Sequence, residues 1–190
     1  MNWKDRTELL LGKERNDAIC SATVLVAGVG GVGGYAVEML ARAGVGNLII
    51  IDDDVVKESN INRQIIATAK NVGTSKVELM KERILDINPE ANVLAIKSFI
   101  DEDNVSEFIR RFKPNFVIDA IDSISPKIAL IKYCIESNVK IISSMGAGGR
   151  MDPTKIQYAD ISKTTNCALA RTVRERLKKQ GITKGLPTVF

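Results

Sequence analysis

With 190 residues, 45% of them hydrophobic and 26% charged, the chain carries enough apolar side chain to fill a core of ordinary domain size, which excludes a disordered segment. A mean hydropathy of 0.00, the lack of any apolar run near the ~18 residues of a membrane span, and a charged start at Lys4-Asp5-Arg6 in place of a signal-peptide centre lead to the expectation of a cytoplasmic protein with no membrane partner. There is no histidine, and Cys20, Cys134 and Cys167 form no CxxC pair, so imidazole bases, Ser-His or Cys-His nucleophile pairs and thiolate zinc sites are excluded.

Apolar strand-like runs alternate with helical periods along almost the whole chain. The fold class expected is therefore α/β, a doubly wound, mostly parallel Rossmann-like sheet with flanking helices. One domain over 1–190 is expected, with an N-terminal helical arm at 1–22, a core at 23–150, and a partial C-terminal strand and basic helix at 151–190.

A strand over 23–27 leads into Gly28-Val29-Gly30-Gly31-Val32-Gly33-Gly34 and a helix through Val37 and Leu40 that stops near Gly44. A second strand over 48–51 runs into Asp52-Asp53-Asp54. Ser75 and Glu78 are spaced as a capping box ahead of a helical stripe of Val77, Met80, Ile84 and Ile87 that Asn88-Pro89 ends.

The next strand is expected over 93–99. Asn104 and Glu107 are spaced as a second capping box, before an apolar face of Val105, Phe108, Ile109 and Phe112. A strand over 116–121 ends at Asp122, and Ser125-Pro126 opens a helix through Ile128, Ile131 and Ile135. A strand over 139–144 opens into the loop Gly146-Ala147-Gly148-Gly149-Arg150. Residues 156–162 alternate like a half-buried strand, and Leu169, Val173 and Leu177 mark a helix whose other faces carry Arg171, Arg174, Arg176, Lys178 and Lys179, with Gly181 as its cap. Pro187-Thr188-Val189-Phe190 reads as an apolar start with no strand to complete it. Cys20 and Cys134 read as core, Cys167 as an ordinary thiol, and Asp119 as a partnered structural carboxylate.

Glycines at 28, 30 and 33, directly after a strand and opening a helix, let the backbone turn tightly and approach a phosphate whose charge faces the helix N-terminus. Asp52 ends the next strand, where a carboxylate can accept hydrogen bonds from ribose hydroxyls. This much suits a nicotinamide dinucleotide as well as ATP. The neighbours Asp54, Asn60, Arg63, Gln64, Lys76 and Asp122 favour a triphosphate, because a reaction at an α-phosphorus needs cations for the leaving charge and a carboxylate for magnesium. The net charge of +4 also favours an anionic ligand.

These motifs resemble the ubiquitin-activating-enzyme-like adenylating superfamily: Gly28 to Gly33, Ile51-Asp52-Asp53-Asp54, Ser59-Asn60-Ile61-Asn62-Arg63-Gln64, and Gly73-Thr74-Ser75-Lys76-Val77-Glu78. Asp119-Ala120-Ile121-Asp122-Ser123 and the run from Ser143 to Thr154 resemble, within it, the tRNA threonylcarbamoyladenosine dehydratases. The resemblance implies that Gly28, Gly30 and Gly33 line the ATP phosphates, that Asp52 and Asp54 belong to the nucleotide site with Asp52 on the ribose, and that Asn60, Arg63 and Lys76 bind the triphosphate. It implies Asp122 as the magnesium residue and Arg6 as an arginine lent to the partner subunit of a homodimer. The reaction implied is ATP-dependent dehydration of the modified adenosine next to the tRNA anticodon, with a sulfur-transfer protein as a further partner. Adenylation of the C-terminus of a small sulfur-carrier protein is the alternative. Dehydratases of this family run on past the position of Phe190, so a truncated C-terminal extension is expected.

Overall fold

The structure, a computed structural model, describes residues 3–190. The chain forms two compact units, one running to Phe99 and the other from Ile100 to Phe190.

The first unit opens with helices α1 (Asp5–Leu11) and α2 (Lys13–Ser21), joined at Gly12, followed by β1 (Thr23–Ala27), α3 (Gly33–Arg42), β2 (Asn47–Ile51), α4 (Lys76–Ile87) and β3 (Asn92–Ile96). The strands are parallel, with β2 between β1 and β3. The unbroken apolar runs of β1 and β2 are what strands covered on both faces require, and Leu25, Val26, Leu48 and Ile50 are wholly buried. From α3 come Val37 and Ala41, and from α4 Val77, Met80 and Ile84, all with no exposed surface. Gly34 lets these helices approach, because a Cβ there would lie 3.3 Å from Ile65 and 3.5 Å from Met80. Across the same contact Glu38, buried, accepts from Arg83 at 2.5 Å and from Arg42 at 2.7 Å.

Two expectations change in this unit. Ser75 stands at the N-cap of α4 but its hydroxyl caps nothing and is buried without a partner. The chain enters this helix from an antiparallel bridge between Val55 and Ser75, and the Lys76 N–H is taken by the carbonyl of Asp54 at 3.2 Å, so a first-turn amide is satisfied by backbone instead. β3 ends at Ile96, where the Ser98 N–H turns back onto the Ile96 carbonyl, and Phe99 is half exposed. Cys20 is only half-buried, unlike the core position expected of it.

The second unit contains α5 (Val105–Phe112), β4 (Phe116–Asp119), α6 (Ile124–Glu136), β5 (Ile141–Ser144), β6 (Tyr158–Asp160), α7 (Ala168–Lys179) and β7 (Pro187–Val189). β4, β5 and β7 are parallel and β6 pairs antiparallel with β7. The terminal Pro187-Thr188-Val189 is thus a completed strand, contrary to expectation. Thr188 sits opposite Ser143 with no exposed surface, and the Val189 carbonyl takes the Met145 N–H. Local pattern gave no sign of this because the pairing partner is far away in sequence.

The second capping box is also replaced. Asn104 Oδ1 accepts from the Asp101 N–H at 3.1 Å, while Asp101 Oδ1 accepts from the amides of Asp103 and Asn104, a turn that competes with helix capping. β4 stops at Asp119 rather than 121 and α6 starts at Ile124. β5 starts at Ile141, because Val139 still bonds back to Cys134 in the turn that closes α6. β6 is limited to three residues, since Asp160 turns the chain by accepting from the amide and hydroxyl of Ser162. The buried face of α7 is Ala170, Val173 and Leu177, with Leu169 half-buried. The fold class is the expected one, α/β with mostly parallel strands and flanking helices. Among the described residues, no helix is long and apolar enough to cross a membrane.

Candidate active site

The glycine turn follows β1 directly. Gly28, at φ +88°, occupies the left-handed region that glycine enters without penalty, and its N–H reaches the Ile51 carbonyl at 2.8 Å. That bond draws the turn against the end of β2, where Asp52 begins. Asp52 Oδ2 accepts from the Val29 N–H at 2.7 Å and Oδ1 from the Asp54 N–H at 2.9 Å. Burial pushes the Asp52 carboxyl above its usual range, against the pull of these two amides and of Lys76. Asp52 therefore does more than end a strand: it ties the glycine turn to the following segment.

The segment between β2 and α4 brings up the other polar groups. Lys76, buried in the first turn of α4, donates to Asp54 Oδ2 at 2.8 Å and lies 3.9 Å from Asp52 Oδ1. The hydrogen bond from Lys76 holds the Asp54 carboxyl below its usual range. Asn60 is buried and its Oδ1 accepts from the Lys57 N–H, which fixes a short turn. Arg63 is exposed at its head, which donates to the Ser59 carbonyl and to Asn62, while its stem crosses the turn: a Cβ on Gly31 would lie 3.5 Å from Arg63 Cγ. The structure thus brings Gly28, Gly30, Asp52, Asp54, Arg63 and Lys76 to one end of the first unit.

In the second unit Asp122 is exposed just past β4. The loop that carries it is held by a buried ion pair, of which the sequence pattern points to the acid alone. Asp119 is fully buried, as expected of a partnered carboxylate, and its partner is Lys127 of α6, also fully buried, at 2.7 Å. Asp119 Oδ1 accepts from the Ile121 N–H, Lys127 donates to the Ile121 carbonyl at 2.8 Å, and Ser143 of β5 donates to Asp119. Both backbone groups of the residue before Asp122 are thereby clamped, which is why β4 stops and α6 starts where they do. In the sequence Lys127 is not set apart from Lys132 of the same helix; the fold buries the first and leaves the second half-buried.

Past β5, the loop at 146–150 is joined to α7 through Cys167. The Cys167 sulfur accepts from the Gly146 amide at 3.4 Å and from the Ala170 amide at 3.5 Å, and Arg150 donates to the Asn166 carbonyl. Burial pushes the Cys167 thiol up, but these amides and Arg150 outweigh it and bring it below its ordinary value. Cys134, by contrast, is buried, and burial together with the nearby Asp119 charge pushes its thiol up to about 12. Arg6 is exposed on α1, next to Leu9 and Leu10, which are 84% and 82% exposed. Among the described residues no three acidic or cysteine side chains gather as a metal cage.

A strand, glycine turn and helix, followed by an acidic strand end and a buried lysine, define a nucleotide-binding α/β protein of the phosphate-handling kind. The chain belongs to the ThiF family, whose model matches residues 5–188. It is similar to the tRNA threonylcarbamoyladenosine dehydratase of Bacillus subtilis (strain 168), with 48% identity over 185 residues, 97% of this chain and 72% of that protein. It also resembles the crystal structure of the Escherichia coli tRNA N6-threonylcarbamoyladenosine dehydratase in complex with ATP, at 42% identity and a TM-score of 0.93 over 99% of this chain and 81% of that one. The molybdopterin-synthase adenylyltransferase of Haemophilus influenzae is 34% identical over 152 residues, 75% of this chain and 61% of that protein.

Proposed function

We propose that this chain catalyses the ATP-dependent dehydration of threonylcarbamoyladenosine in tRNA, through adenylation of the substrate carboxylate. The observation that carries the reading is the glycine turn bound to Asp52, with Arg63 lying over it and Lys76 beside it. It is supported by the similarity to a dehydratase crystallised with ATP.

In this reading Gly28, Gly30 and Gly33 present backbone to the phosphates, and Asp52, already oriented by two amides, receives the ribose hydroxyls. Lys76 exchanges its contact with Asp54 for phosphate oxygens, and Arg63 and Asn60 take others. Because Lys76 is held beside the turn before ligand arrives, little reorganisation accompanies binding. The substrate carboxylate is ionised at neutral pH and attacks the α-phosphorus without a protein base, which suits a chain without histidine. The resulting acyl-adenylate carries a good leaving group, and an atom of the modified base's own side chain closes the ring, so proximity replaces a covalent enzyme intermediate. Asp122, an exposed carboxylate just past β4, is a donor of the kind magnesium takes, an ion commonly held by one or two carboxylates together with substrate phosphates. Magnesium there would neutralise phosphate charge. Arg6 lent across a homodimer, a sulfur-transfer protein as partner and a cytoplasmic location complete the reading.

The test is exchange of labelled pyrophosphate into ATP. Exchange that depends on tRNA bearing threonylcarbamoyladenosine is the expected result. Exchange dependent on a small carrier protein instead would establish the adenylyltransferase alternative, and exchange with neither would overturn both.

A further inference from the structure

Helix α1, which carries Arg6, has no buried residue, and it meets α2 at Gly12, whose φ of +81° and ψ of 158° glycine alone adopts without strain. A Cβ on Gly12 would meet no heavy atom of the described residues within 4 Å, so this joint is open. The other end of the helix is latched. The Lys4 carbonyl accepts the Glu8 N–H at 3.0 Å and so begins α1, while the Lys4 stem lies on the turn that closes α3: a Cβ on Gly44 would stand 3.5 Å from Lys4 Cε and 3.8 Å from the Trp3 ring. Lys4 Nζ sits 5.0 Å from the centre of that ring and donates at 3.2 Å to Glu90 Oε2, in the turn between α4 and β3. The Lys4 side chain is 15% exposed and that of Glu90 81%. An ion pair this open to solvent adds little to stability. What it fixes is the residue from which α1 starts, two positions before Arg6.

We propose that Glu90 is a positioning residue for Arg6: by holding Lys4 against Gly44 and the α4–β3 turn, it sets the direction of α1 and so the reach of the guanidinium toward the leaving phosphates in a second subunit. An arginine lent in trans acts only where it stands within hydrogen-bond reach of those oxygens, and a displacement of about 1 Å can cost as much as 100-fold in rate. The inference rests on the reading of Arg6 as a residue lent across a homodimer of an adenylating enzyme.

Glu90→Lys turns the contact with Lys4 into repulsion at an exposed position. The tRNA-dependent exchange of pyrophosphate into ATP should fall by about 10-fold or more in kcat, with KM for tRNA and the melting midpoint unchanged. The exchanged pair, Lys4→Glu with Glu90→Lys, restores attraction and should recover most of the lost kcat, which a merely solvated Glu90 would not show. Subunit exchange then reads in which copy Glu90 acts. Mixed dimers of Glu90→Lys with Asp122→Asn should regain activity, because the site with an intact Asp122 receives Arg6 from an intact arm. Mixed dimers of Glu90→Lys with Arg6→Ala should not, because one site receives no Arg6 and the other a displaced one. The reverse pattern would place Glu90 in its own subunit's site and overturn the proposal. A fall in rate that tracks a lowered melting midpoint would overturn it too, as would an exchanged pair that stays slow. Wild-type kcat in Glu90→Lys beside a slow Arg6→Ala overturns this inference alone, whereas wild-type protein that shows no exchange overturns the functional reading with it.

Discussion

Asp119 and Asp122 lie three residues apart and do opposite work. Asp122 is exposed, whereas Asp119 is sealed against Lys127 with neither side chain reaching solvent. Asp122→Asn keeps shape and removes the charge that would hold magnesium, so adenylation should fall by roughly 100-fold or more, with the urea midpoint unchanged. Equal turnover would remove Asp122 from the mechanism. Lys127→Met strands a buried carboxylate, and its loss of stability should be about 3–5 kcal/mol in urea unfolding at neutral pH. Adding Asp119→Asn should recover most of that stability without recovering full adenylation, because Ile121 would still lack the Lys127 clamp on its carbonyl. Recovery of both together would mean that the pair serves stability only.

At the scale of elements, the contact of α3 with α4 depends on Glu38. Burial raises its pKa, but hydrogen bonds and charge from Arg83 and Arg42 outweigh burial and hold it below the ordinary 4.5. A carboxyl depressed in the folded state stabilises the fold at pH values above its unfolded pKa, and that contribution is lost as pH falls through the folded value. Melting temperature should therefore drop below about pH 4.5 more steeply in wild type than in Glu38→Gln. At neutral pH the variant should be less stable by roughly 1.5–3 kcal/mol. Parallel acid profiles would show that the pair does not control this transition.

The basic helix α7 is divided by its own contacts. Arg174 donates to the carbonyl and hydroxyl of Thr164, while Arg171, Lys178 and Lys179 are exposed. Reversing those three charges should weaken tRNA binding and flatten its salt dependence with ATP affinity intact; Arg174→Ala should lower the melting temperature instead. Filter binding across a salt series, beside a thermal melt, checks both. Unchanged tRNA binding would reduce the helix to a solvated face.

For the molecule as a whole, Leu9 and Leu10 expose apolar surface on α1 beside Arg6. A second copy covering that surface would bring Arg6 to its neighbour's site, where a guanidinium can make two directed bonds to leaving phosphates. Loss of Arg6 should then cost about three orders of magnitude in rate, by analogy with other arginines supplied in trans. Mixing inactive Arg6→Ala with inactive Asp122→Asn under subunit exchange should restore activity, because a mixed dimer has one site free of both defects. Mixed dimers that form and stay inactive would place Arg6 in its own subunit or outside catalysis.

The chain order of strands and helices from β1 to α7, the glycine turn after β1 and the acid at the end of β2 were legible in the sequence, because each depends on neighbours within a turn or on a short hydrophobic period. Asp119 could likewise be read as partnered, from its place in an apolar strand. Its partner could not, since Lys127 meets it only when α6 packs back on β4. The same holds for the two spaced capping boxes, displaced by a backbone carbonyl at Lys76 and by the Asp101 turn at Asn104. It holds also for Pro187–Val189, which becomes a strand only through pairing with β5 and β6. Local chemistry determines which residues can turn, cap or bind; which of several eligible partners each one takes is decided by the distances that close only on folding, where an unpaired buried group costs more than a lost local preference.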